Sequence, residues 1–213
     1  MTDGPMRTLF VGDVHGCRDE LARLLDLADA DRVILLGDLF TKGPDPGGTW
    51  RLIQQHRCEA VLGNHDLAIL NRARRGGPVD LPDEAVAWLG SLPLFIHGEG
   101  PEGPWVAVHA GVDPGAGPAG TTMDQAVAMR RYPGDSPDDP FWWSLWRGPP
   151  LVIYGHDAVR GLVDRRPHSL GLDTGCVYGG ALSGYLVEDD RLLSVPAGRI
   201  YRPVPPVPPP GVR

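Results

Sequence analysis

Seven side chains able to bind a metal or move a proton stand just past five apolar runs. The run 9–11 leads through Gly12 to Asp13 and His15, and the run 33–36 leads through Gly37 to Asp38. The run 60–62 leads through Gly63 to Asn64 and His65. The runs 105–108 and 151–154 lead to His109 and His156. Residues i and i+2 of an extended backbone project the same way. Asp13 and His15 can therefore reach one point beyond a strand end. Alone, that pair is equally well a turn capped by an aspartate. Four of the seven histidines lie in these loops, and ligands of open α/β sheets gather at the carboxyl ends of strands. Scattered core histidines would not repeat that placement. His56, His97 and His168 follow no such pattern and read as surface or packing residues.

The donor types suggest the chemistry. Asp13, Asp38, Asn64, His15, His109 and His156 offer about six mixed oxygen and nitrogen donors, more than one tetrahedral zinc needs. Two octahedral-leaning divalent ions sharing a carboxylate and a water would use them all. Mn²⁺ or Fe suits the mixture, with Zn²⁺ or Co²⁺ as alternatives. Two ions about 3.5–4 Å apart generate hydroxide at neutral pH and clamp an in-line displacement at phosphorus.

The elements that must position these groups read as an α/β chain. Residues 18–30 carry leucines at helical spacing, with Asp19 and Glu20 in the first turn. Flanked by the first two strand runs, they make a βαβ unit with parallel strands. Residues 44–48 read as a turn before a short helix around Trp50 and Ile53. Helices are expected over 67–75, 83–91, 122–129 and 141–147. Residues 98–104 and 114–120 read as loops. The segments 169–172, 182–187 and 192–195 alternate as strands of a second, more antiparallel sheet.

Composition narrows the class. At 213 residues and 42% hydrophobic, the chain suits one large domain or two small ones. No linker divides it, so residues 1–202 are expected to form one domain. Six of the last eleven residues are proline, so 203–213 reads as an extended, flexible tail. No apolar stretch approaches a membrane span, and residues 1–7 lack the pattern of a signal peptide. Cys17, Cys58 and Cys176 are widely spaced and read as reduced cytoplasmic thiols. The net charge of −7 argues against stable nucleic-acid binding. A phosphate-bearing partner, whether a small molecule or a phosphoprotein, would need bound metal or local Lys and Arg.

Asp13-x-His15-Gly16, Gly37-Asp38 with Gly43-Pro44, Gly63-Asn64-His65-Asp66, His109-Ala110-Gly111 and Gly155-His156 resemble the five blocks of the calcineurin-like metallophosphoesterases. They are most similar to the phosphoprotein phosphatase branch and to its bacterial symmetrical diadenosine tetraphosphatases. The stretch from Leu172-Asp173-Thr174-Gly175-Cys176 to Gly180 supports the latter. The resemblance implies a two-sheet mixed β-sandwich flanked by helices. It implies that Asp13, His15 and Asp38 hold one ion, and that Asp38, as bridge, holds the second with Asn64, His109 and His156. It makes His65 the general acid, against the alternative of a supporting structural histidine. The activity implied is metal-hydroxide attack on the phosphate chain of dinucleoside polyphosphates. The alternative keeps the metal site and acts on phosphoserine, phosphothreonine or phosphotyrosine.

Two positions depart from the protein phosphatases. Thr41 and Lys42 stand where that branch carries Asp-Arg, so His65 lacks its usual acidic partner, and Lys42 keeps a charge for phosphate without a bidentate fork. The diadenosine enzymes also lack that Asp, but the segment between His109 and His156 is shorter here than in them. Arg147 is a candidate phosphate contact, with a solvated surface arginine as the alternative. Trp142, Trp143 and Tyr178 could stack on adenine, although packing suits most of them. Asp173 reads as an organiser of loop hydrogen bonds. A catalytically inactive binding module acting through the tail is the third reading, opposed by the complete ligand set.

Overall fold

Strand runs with no polar face must be covered on both sides. The computed structural model, which describes residues 6–204, meets that demand with two stacked sheets and helices outside them. The strands are β1 (Thr8–Val11), β2 (Arg32–Leu35), β3 (Glu59–Ala60), β4 (Phe95–Gly100) and β5 (Gly103–Val108). They continue as β6 (Leu151–Tyr154), β7 (Val163–Arg165), β8 (Ser169–Gly171), β9 (Ala181–Leu186) and β10 (Arg191–Pro196). One sheet has the order β10-β9-β1-β2-β3 and the other β4-β5-β6-β8-β7. The triplets β1-β2-β3 and β5-β6-β8 are each parallel.

Alternation along each strand divides its side chains between two cores. Leu9, Val11, Val33 and Leu35 face α1 (Arg18–Ala28), α2 (Pro46–Gln55), α3 (Asn64–Arg74) and α4 (Asp83–Leu89). Phe10, Ile34, Leu36 and Val61 point the other way, onto Trp105, Ala107, Ile153 and Leu170 of the second sheet. The Phe10 ring meets Trp105 edge-on, with centroids 4.8 Å apart. Beyond the second sheet, Val106, Val108, Val152 and Tyr154 pack on Ala126, Met129, Trp142 and Trp146. Helices outside both sheets make the expected two-sheet α/β sandwich.

Four local expectations change. β9 and β10 belong to the first sheet, not to a second one, because β1 has two edges to pair: β2 takes one and β9 the other, antiparallel. The region 98–104 is a hairpin whose pairing runs out to Gly100 and Gly103. α2 starts within the expected turn 44–48, since Asp45 accepts a hydrogen bond from Gly48 N at 2.7 Å and Pro46 suits the first helical position. α3 begins at Asn64 rather than 67, which turns Asn64 and His65 into first-turn helix residues.

Among the described residues no helix is long and apolar enough to cross a membrane. The backbone N–H groups of Tyr201 and Arg202 donate to Val177 O at 3.1 and 2.9 Å. The proline-rich tail from 205 onward lies outside the described residues.

Candidate metal centre

Hydrogen bonds between loops from different strands hold the site. His15 N donates to Asp38 O at 2.8 Å, and Gly16 N donates to Leu39 O at 2.7 Å. This ties the loop after β1 to the loop after β2. His65 N donates to Asp38 Oδ1 at 2.9 Å, which brings in the start of α3. Within the second sheet Gly155 N donates to His109 O at 2.8 Å, and across the sandwich His156 N donates to Asp13 Oδ1 at 3.0 Å. The backbones of His15, Asp38, Lys42 and His156 are left-handed, with φ of 48°, 55°, 69° and 73°. Each such non-glycine residue stores about 1–3 kcal/mol, and such strain collects at functional sites. Two glycines are required by close approach: a Cβ on Gly63 would sit 2.3 Å from Asp38 Oδ1, and one on Gly155 2.1 Å from Asp13 Oδ1.

The sequence did not single out Asp66. It is fully buried and accepts from Asp38 N at 2.7 Å, Leu39 N at 3.0 Å and Gly63 N at 3.2 Å. A carboxylate at the third position of α3 thereby satisfies that helix's start and holds the Asp38 loop. Asp66→Ala leaves these N–H groups buried without partners. We expect it to lower unfolding stability by about 3 kcal/mol, read by urea denaturation.

Asp13, Asp38 and His109 each place one donor atom within 4.8 Å of the others, and so do His15, Asp38 and His65. Asp38 is common to both groups. His15 Nε2 lies 3.6 Å from Asp38 Oδ2 and 4.0 Å from Asp13 Oδ2. His109 Nε2 lies 3.5 Å from Asp38 Oδ1.

The donor set can be tested for its fit to a cation. His109 Nδ1 lies 2.6 Å from Leu36 O, and His156 Nε2 lies 3.0 Å from Ala128 O. A carbonyl only accepts, so both nitrogens carry protons, and a neutral ring keeps its lone pair on the other nitrogen. Burial holds the His109 imidazole down to about 4 and pushes His156 well below its ordinary value. Both are neutral near pH 7. Their lone pairs then oppose each other at 3.2 Å, with Asn64 Oδ1 3.1 and 3.0 Å away. Turning the Asn64 amide over would leave the two imidazole lone pairs still opposed. A cation relieves that repulsion, so the residues fit a metal.

The carboxylates point the same way. Asp13 and Asp38 are 3% and 2% exposed. Burial, followed by the neighbouring Asp173 and Asp38 charges, pushes Asp13 well above the carboxylate range, and burial pushes Asp38 up to about 7. Divalent charge would restore both to their ionised forms.

The Thr41-Lys42 pair sits against His15 rather than His65. Thr41 Oγ1 is 3.0 Å from His15 Nδ1, and Lys42 Nζ is 3.1 Å from His15 Nε2. His65 is half-buried, 3.9 Å from Asp38 Oδ2, with its ring edge-on to His15. Arg147, expected at phosphate, is not in the cleft. It is exposed, and its Nη1 donates to the Ser144 and Trp146 carbonyls at 2.8 Å each. Arg130, Arg131 and Arg160 line the cleft instead, beside Lys42, Tyr178 and Asp173, in a space of about 580 Å³. Asp173 accepts from Gly175 N at 3.1 Å. Trp142 is core, edge-on to Tyr154, and Trp143 stacks on Phe141. No sequence signal separates these arginines from the chain's other arginines.

Carboxylates and imidazoles gathered at the carboxyl ends of parallel strands from two stacked sheets define a metal-dependent hydrolase. The chain belongs to the calcineurin-like phosphoesterase family, whose model matches residues 6–193, and that family implies divalent metal ions. It is 29% identical to the symmetrical bis(5'-nucleosyl)-tetraphosphatase of Aeromonas hydrophila, over 90% of this chain and 98% of that one. It is also 29% identical to the protein of that name from Aromatoleum aromaticum, over 91% and 98%. A crystal structure provisionally named a diadenosine tetraphosphatase superposes with a TM-score of 0.83 at 32% identity, covering 92% of this chain and 96% of that one. A metallophosphoesterase from Sphaerobacter thermophilus shares the fold, with a TM-score of 0.57 at 18% identity over 92% and 89% of the two chains. The first of these alignments runs over 270 positions against the 213 residues here, so that relative carries insertions this chain lacks.

Proposed function

We propose that the protein hydrolyses the phosphate chain of dinucleoside polyphosphates at a two-metal site. The opposed lone pairs of His109 and His156, beside Asn64 and the shared Asp38, carry this reading. Asp13, His15 and Asp38 would hold one ion, and Asp38, Asn64, His109 and His156 the other. The mixed oxygen and nitrogen donors favour Mn²⁺, with Fe, Co²⁺ or Zn²⁺ as alternatives. Bound there, the ions would activate water at neutral pH and neutralise phosphate charge.

The chain's own residues do the rest. His65 holds the proton for the leaving oxygen. Lys42, packed against His15, adds positive charge where the phosphate enters. Asp66 and the paired loops keep Asp38 aligned. The names of the relatives support the dinucleotide as substrate. The free, buried cysteines accord with a cytoplasmic protein.

The test is a substrate panel with Mn²⁺. ADP is expected as the sole nucleotide product from diadenosine tetraphosphate, with slower phosphate release from phosphopeptides. Turnover of phosphopeptide with none of the dinucleotide would transfer the reading to protein phosphatase.

A further inference from the structure

We propose that Arg130, Arg131 and Arg160 form an anion subsite for the phosphates beyond the one at the metals, an inference that rests on the phosphate-chain reading above. The three arginines line the cleft together with Phe141 and Asp157. Arg130 adjoins the metal centre, since its Nη2 donates to His156 O at 3.3 Å. Its Nε is 3.7 Å from Asp157 Oδ1, and Arg160 Nε is 3.9 Å from the other oxygen, Oδ2. Asp157, with a side chain 12% exposed, thus spaces two arginines that remain 44% and 43% exposed. Arg131 and Arg160 both lie over the Phe141 ring, at 4.1 and 4.8 Å from its centroid. Phe141 in turn stacks flat on Trp143, centroids 5.0 Å apart and planes 7° apart.

Structural ion pairing does not account for this arrangement. The contacts to Asp157 are long and single, not the bidentate fork that arginine makes with a structural carboxylate. Asp135 accepts from the backbone N–H groups of Arg130 and Arg131 at 3.0 and 2.5 Å, and the Asp139 carboxylate from Gly134 N and Ser136 N at 3.1 and 3.0 Å, so both are occupied by backbone. Two like charges are held over one aromatic ring; Arg131 Nη1 donates to the Asp139 carbonyl, and among the described residues the other guanidinium N–H groups of Arg131 and those of Arg160 make no hydrogen bond. Bound anionic charge beside them would offset their mutual repulsion. In a chain of net charge −7, a cationic wall beside the metal cage is a local field that selects phosphate. A single phosphate reaches only the cage, whereas a chain of phosphates extends from the cage past Arg130 to Arg131 and Arg160. The subsite therefore reads chain length and favours polyphosphates over monoesters.

Calorimetry separates the two ligands, with inorganic tripolyphosphate and orthophosphate titrated into the full chain at matched Mn²⁺ concentration. In Arg131→Ala and Arg160→Ala the tripolyphosphate Kd should rise about tenfold, and the orthophosphate Kd by less than about twofold. Phe141→Leu should shift tripolyphosphate in the same direction by a smaller factor, because it removes the platform and keeps the charges. An unchanged tripolyphosphate Kd overturns the proposal, and so does an equal weakening of both ligands, which would mark a general loss of fold or metal. Turnover of diadenosine tetraphosphate by the wild type is measured separately. Selective weakening without such turnover keeps the subsite and removes the dinucleotide reading. Turnover with no selective weakening does the reverse.

Discussion

Asp38→Asn, reconstituted with Mn²⁺, is expected to retain less than about one ion per chain and to lose at least about a thousandfold in kcat. Asp38 is the residue common to both donor groups, with Oδ1 3.5 Å from His109 Nε2 and Oδ2 3.6 Å from His15 Nε2. An amide keeps the shape and one acceptor, so His65 N can still donate to it as it does to Oδ1. It removes the negative charge that two cations would share. The carboxyl is buried and pushed up to about 7, so its loss also removes a buried charge. The metal-free variant should therefore melt no lower than the metal-free wild type, while the wild type alone gains melting temperature on adding Mn²⁺. Elemental analysis and thermal scans with and without metal read both effects. Full activity with two ions retained would remove Asp38 from the bridging role.

His65→Asn should separate metal from turnover. We expect both ions to stay bound and kcat to fall about a hundredfold to a thousandfold, with the larger loss for poor leaving groups. His65 sits at the start of α3, half-buried, with its ring edge-on to His15 at 5.2 Å and facing the cleft. Burial, then the charges of Lys42, His109 and Arg130, hold its imidazole down to about 4. In the free site it is neutral and has no proton to give at pH 7. A bound phosphate chain brings the opposing negative charge, which must raise that value for His65 to act as an acid. The alkaline limb should accordingly lie at lower pH in the kcat/KM profile of the wild type than in its kcat profile, and vanish from both in the variant. Metal loss with unchanged turnover per ion would make His65 a supporting residue instead.

The donors were legible because their signal is local. A strand that ends at a glycine and then offers Asp, Asn or His can be read from a few adjacent residues, and that signal recurs four times, with a fifth apolar run leading directly into His109. The apolar runs also marked the strands. Asp66 was missed although it stands inside one of those motifs. Its role depends on the backbone N–H groups of Asp38 and Leu39, more than twenty residues away in sequence.

The sheet that β9 and β10 join is not legible in the sequence for a related reason. Alternation states that a strand has two unlike faces, but not which edge it pairs with, and the free edge of β1 decided that. Thr41 was read against His65 by its place in a motif, yet the turn that gives Lys42 its left-handed backbone carries Thr41 to His15. The sequence around Arg147 does not show that its guanidinium is taken up by the Ser144 and Trp146 carbonyls at the end of a single helical turn.

The amino-acid sequence by itself determined the class of chemistry, the family, and a set of candidate metal-binding side chains, because backbone direction at a strand end follows from short-range geometry. The tertiary structure alone decided how those strand ends from two separate sheets face one another, which lone pairs meet, and which three arginines line the cleft. Those outcomes depend on the stacking of the sheets and on contacts between residues distant in the chain, which no local pattern encodes.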